Sequence, residues 1–135
     1  MFDASPILIV STEASHGDKL ADGVLRSGLR PVWCDSVAAA RSLIASGQIG
    51  LIMAEDSLPD HELRALVKGA DYKSLPVPVI VVSQSESWES YLAALGAGAC
   101  DYVAYPPAAG ELERALWSAL GESKRFSQAF FRWAA

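Results

Sequence analysis

The chain has 135 residues, 51% of them hydrophobic and 20% charged, which suits one globular domain able to bury a full core without staples. Sixteen acids against eleven bases leave a net charge of −5, and residues 1 to 120 gather no basic patch, so direct nucleic-acid binding is not expected, because phosphate neutralisation supplies most of that affinity. No stretch reaches the roughly 20 apolar residues of a membrane span, and the start lacks the basic region and cleavage site of a signal peptide, so the expected location is the cytoplasm.

Short apolar runs and amphipathic stretches alternate five times. The first strand reads PILIVS (6 to 11), and a helix follows over 15 to 28. PVWC (31 to 34) precedes a helix over 36 to 46, and IGLIMA (49 to 54) precedes one over 60 to 70. VPVIVVS (77 to 83) leads to a helix over 86 to 97, and DYVAY (101 to 105) to a last helix over 108 to 121. That helix carries a core stripe of Leu112, Ala115, Leu116, Ala119 and Leu120 at the spacing of one buried face. Three strands are almost wholly apolar, so both sheet faces need cover. Repeated βα units of this kind predict an α/β sandwich of three layers around a parallel sheet.

Residues 1 to 121 read as one domain. The remainder, 122 to 135, reads as a helical extension or the start of a linker to an output domain, with Phe126, Phe130 and Trp133 at spacings of four and three, flanked by Lys124, Arg125 and Arg132.

Ligands of open parallel sheets sit beyond the carboxyl ends of the strands. Those ends collect Ser11, Thr12 and Glu13 after the first strand, Glu55 and Asp56 after the third, Ser83 after the fourth, and Tyr105 with Pro106 after the fifth. The set holds hydroxyls and carboxylates but no Lys and no activating His. His16 and His61 fall at helix starts and read as solvated or capping residues. Cys34 and Cys100 form no CxxC pair and have no metal-ligand spacing to either His, so both read as reduced structural thiols.

ILIV (7 to 10), LPD (58 to 60), PVIVVS (78 to 83) and GAGACDYVAYPP (96 to 107) together resemble the receiver domain of bacterial response regulators, over residues 6 to 121. The resemblance implies a flavodoxin-like fold: a five-stranded parallel sheet of order 2-1-3-4-5 with five helices, serving signal relay by phosphorylation of an Asp. That order would hold Cys34 and Cys100 about 19 Å apart, beyond the ~7 Å limit of a disulfide.

Carried over by residue, the family's site is altered. Ser11 and Thr12 stand where it keeps two magnesium-binding acids, and only the outer acid, Glu13, remains. The phosphoacceptor position is Glu55, the switch hydroxyl is kept as Ser83, the conserved Lys is Tyr105, and the aromatic switch position is Tyr102. Hydroxyls attract Mg²⁺ far less than carboxylates do, and phosphoryl transfer relies on placed charge. The expectation is an atypical pseudo-receiver with no bound metal, no cofactor and no enzymatic role.

Glu55 then reads either as a loop acid facing solvent or as a carboxylate standing in the phosphoryl place and accepting a hydrogen bond from Ser83. Asp56 as a substitute acceptor is the least favoured reading. Trp33, Trp88 and Trp117 read as core or interface anchors. Function would rest on surface: Trp88 and Tyr91 on the fourth helix, and Phe126, Phe130 and Trp133 in the tail. Expected partners are a histidine kinase, an output domain, or a second copy pairing through the face of the fourth helix, fifth strand and fifth helix. Membrane contact by the basic tail is a lesser expectation. A residual phosphoacceptor domain is the alternative, and a small-molecule sensor using the space between Thr12, Glu55, Ser83 and Tyr105 the remote one.

Overall fold

The structure is a computed structural model that describes residues 6–56, 58, 62, 66, 71–72, 75–84, 89, 93, 96 and 99–122. Its strands are β1 (Ile7–Val10), β2 (Pro31–Cys34), β3 (Leu51–Glu55), β4 (Asp71–Tyr72), β5 (Leu75–Pro76), β6 (Val79–Ser83) and β7 (Asp101–Ala104). Its continuous helices are α1 (Ala14–Arg26), α2 (Val37–Ala45) and α3 (Glu111–Glu122). Of the helices expected over 60 to 70 and 86 to 97, Glu62, Leu66, Glu89, Ala93 and Gly96 are helical, and the rest lies outside the described residues.

The main sheet has the order β2-β1-β3-β6-β7 with every neighbouring pair parallel. Counted over its own five strands this is 2-1-3-4-5, the flavodoxin-like order. β1, β3 and β6 are buried along their whole length, as expected of apolar runs covered on both sides. β4 and β5 form a separate antiparallel pair, which the sequence reading lacks because two-residue strands leave no period to detect.

Alternation along the strands splits the core in two. Ile7, Ile9, Leu51, Met53, Ile80, Val82 and Val103 face one layer, packed with Leu20 and Val24 of α1 and the full expected stripe of α3. Leu8, Val10, Ile52, Ala54 and Val79 face the other, packed with Val37, Ala40 and Ile44 of α2.

The helix boundaries have local causes. The Ser36 side chain caps α2 by accepting from the Ala39 N–H, satisfying a free amide of the first turn. α3 begins three residues later than expected because Pro106, Pro107 and a turn ending at Gly110, with φ 80°, delay it. α1 and α3 approach closely at Gly23, where an added Cβ would lie 2.5 Å from Leu112 Cδ2. Beyond that contact the Trp117 indole N–H donates to the Ser27 carbonyl at 3.2 Å.

Cys34 lies on the β2 edge and Cys100 just ahead of the β7 edge, and neither is in a disulfide. Burial pushes the Cys34 thiol above its ordinary ionisation range, and the charge of Asp35 adds to this, whereas Cys100 is exposed. Since the thiolate is the reactive form, Ellman's reagent at mild alkaline pH should titrate one thiol quickly and the second only on unfolding. Equal rates for both thiols would contradict this placement.

Candidate functional site at the carboxyl edge of the sheet

Strand register builds this corner. Ile9 lies beside Met53 and Val10 beside Ala54, so Ser11 and Glu55, two residues beyond Ile9 and Met53, emerge side by side on the α1/α3 face. Ser11 Oγ donates to Glu55 Oε2 at 2.7 Å. The other oxygen, Oε1, lies 2.7 Å from Nδ1 of His16, in the first turn of α1. Glu55 is 1% exposed and the His16 side chain 19%.

A buried carboxylate costs several kcal/mol unless donors replace its water. Here both oxygens have one. The Glu13 N–H donates to Ser11 Oγ at 3.2 Å and so orders the loop.

The imidazole is held on further sides. Gln84 Nε2 lies 3.2 Å from His16 Nε2. A carboxylate oxygen only accepts, so the proton on Nδ1 is the one that faces Glu55. The Tyr105 ring lies against the imidazole, with centroids 4.3 Å apart and planes tilted by 37°. Burial and then the Glu55 charge push the Tyr105 phenol above its ordinary ionisation range.

The second half of the corner lies through the sheet. Glu55 is registered with Val82, so Asp56 comes level with Ser83, and both fall on the α2 face with Ala54 and Val79. Ser83 Oγ donates to Asp56 Oδ2. Tyr102 is half-buried, and its register with Val81 sets it on this same face, whereas Tyr105 follows Val103 onto the other.

Three expectations need correction. Glu55 is not a loop acid in solvent, since β3 extends through it and buries it. Nor does it take the Ser83 proton, which goes to Asp56, because Ser83 and Glu55 belong to opposite faces. His16 is neither merely solvated nor a cap: it is the histidine that the strand ends by themselves lack. The signal that could have found it is positional: the first turn of the helix after β1 stands over the same strand ends.

Trp33 is 44% exposed, yet its indole N–H donates to the Ser11 carbonyl at 3.2 Å. Its ring lies so close to Gly17 that an added Cβ there would come within 2.6 Å of Nε1. Trp117 is similarly 42% exposed. Thr12 and Glu13 are exposed on the connecting loop. His61, Trp88, Tyr91, Phe126, Phe130 and Trp133 lie outside the described residues.

No family model matches the chain. The swarming motility regulation protein RssB of Serratia marcescens is 26% identical over 106 residues, which are 78% of this chain and 48% of RssB. The chain thus spans about half the length of that curated relative. The signal receiver domain of a protein assigned as a LuxO repressor in Vibrio parahaemolyticus superimposes with a TM-score of 0.77 at 17% identity, covering 96% of this chain and 95% of that one.

The chain has the receiver fold of response regulators. A second receiver-fold structure, of an atypical orphan response regulator described as having a phosphorylation-independent regulatory mechanism, matches with a TM-score of 0.68 at 19% identity, over 90% of this chain and 95% of its own.

The receiver fold implies a magnesium ion beside the acceptor carboxylate, and the residues here do not fit one. Ser11 and Thr12 offer neutral hydroxyls. Glu55 has donors on both oxygens, one of them the imidazole, and Asp56 already takes the Ser83 proton. Magnesium demands octahedral oxygen ligation, usually with one or two carboxylates free to give it.

Proposed function

We propose that this chain is an atypical receiver module that signals through protein–protein contact, without aspartyl phosphorylation and without tight magnesium binding. One observation carries the reading: the carboxylate at the acceptor position is buried and closed by Ser11 and His16. An acceptor must present a free oxygen in line with the donor phosphorus, with positive charge placed around the moving group. Glu55 presents none, and Tyr105, at the position of the family's lysine, brings a neutral phenol.

The phosphorylation-independent regulation described for the atypical orphan regulator supports the same reading here. A histidine kinase, an output domain or a second copy are the partners this module would meet, in the cytoplasm and without catalysing a reaction. No helix among the described residues is long and apolar enough to cross a membrane.

Acetyl phosphate with Mg²⁺, read by intact mass, tests the proposal. The expected result is no phosphoryl adduct on the wild-type chain, and none on Glu55→Asp, whose shorter side chain restores the family's residue type but not its charges. Beryllofluoride with Mg²⁺ should likewise leave Trp fluorescence unchanged. A stoichiometric adduct on the wild type, or a saturable signal that needs both ions, would return the corner to phosphoryl chemistry.

A further inference from the structure

The place where the fold implies a cation is not merely short of ligands. On the Oε1 side of Glu55 stands an imidazole nitrogen at 2.7 Å. Each neighbouring element helps to hold it there: β3 supplies Glu55, β1 reaches it through Ser11, Gln84 follows β6, and Tyr105 follows β7. Glu55 and His16 are 39 residues apart in the chain, so their pairing joins α1 to the centre of the sheet.

We propose that His16 is an internal plug for a divalent-cation site: its imidazole occupies the open side of Glu55 and assembles the corner with no ion present. The proposal rests on the reading that this corner takes no phosphoryl group. It has a direct consequence for hard divalent ions, which seek carboxylate oxygens. The wild-type corner is closed to them because Oε1 already has a donor. Removing the imidazole leaves Glu55, a buried carboxylate, with Oε1 open and only the Ser11 hydroxyl on Oε2. That arrangement should recruit a small divalent cation.

The probe is Mn²⁺, followed by loss of the free-ion electron paramagnetic resonance signal and by thermal melting. Wild-type protein should leave the ion free and its melting temperature unmoved. His16→Ala should bind about one ion, with a dissociation constant on the order of 1 mM. Near saturation its melting temperature should rise by about 4 °C. Glu55→Gln in the His16→Ala background should abolish both effects.

A folded His16→Ala chain that leaves Mn²⁺ free overturns the proposal, as does wild-type protein that binds it equally well. If near-UV dichroism shows His16→Ala unfolded, the wild type still decides the matter through its imidazole ¹⁵N spectrum. The His16 Nδ1–H correlation should persist unchanged at millimolar Mg²⁺, and its saturable loss would sink the plug. The two proposals fail separately: a phosphoryl adduct on the wild type defeats the receiver reading, whereas an adduct-free wild type with a folded, metal-inert His16→Ala defeats only this one.

Discussion

Glu55→Ala should lower unfolding stability by about 2–3 kcal/mol, the sum expected for a vacated buried volume and a buried hydroxyl left without its acceptor. Ser11 is fully buried and its proton is directed to Glu55 Oε2. The remaining nearby oxygen, the Glu13 carbonyl at 3.2 Å, is a poorer replacement. His16 would lose its carboxylate as well. In urea at neutral pH the midpoint should fall by about 1.5 M, given the slopes usual for small domains. Glu55→Gln, which keeps the shape and one acceptor oxygen, should cost less than Glu55→Ala. A surface acid changes stability by only about 0.5 kcal/mol either way, so an unmoved midpoint for Glu55→Ala would mean that Glu55 does not hold the corner.

The second large effect separates two adjacent residues of α3. Leu116 is fully buried and packed against the sheet face of β1, β3 and β6, whereas Trp117 is 42% exposed and holds the Ser27 carbonyl through its indole N–H. Leu116→Ala removes core volume that its neighbours cannot refill and should cost about 3–4 kcal/mol. Trp117→Ala removes the larger side chain, yet it should cost only about 1 kcal/mol, mainly the hydrogen bond and partial packing. Chemical denaturation of both variants checks the order. Equal losses, or a larger one for Trp117, would mean that α3 docks by a different face.

Burial and layer assignment were readable from residues alone where the pattern is long. PILIVS, IGLIMA and VPVIVVS announce strands covered on both faces, which the structure has as β1, β3 and β6, and the stripe from Leu112 to Leu120 turned the last helix the right way. The strand ends also collected Ser11 and Glu55, which the structure joins, and Asp56 and Ser83, which it joins separately.

What stayed illegible depends on register and on distant pairing. Whether Ser83 reaches Glu55 or Asp56 turns on a one-residue offset between β3 and β6, and a slip of one residue moves a side chain through the sheet. The His16–Glu55 pair joins positions 39 residues apart, and no local period encodes such a meeting. A histidine at a helix start looks the same in sequence whether it meets water or a buried acid.

The alternation that separates Glu55 from Ser83 also divides the corner into two compartments. Ser11, Glu55, His16 and Tyr105 share the layer of α1 and α3, while Asp56, Ser83 and Tyr102 share the layer of α2, with the backbone of β3 and β6 between them. Sites without shared partners contribute independently to stability. Among the described contacts the two sides meet through the backbone of β3 and β6 and through Gln84, which follows Ser83 and lies 3.2 Å from His16 Nε2. The sheet end therefore carries two polar pairs, Ser11–Glu55 and Ser83–Asp56, on opposite faces and under different helices.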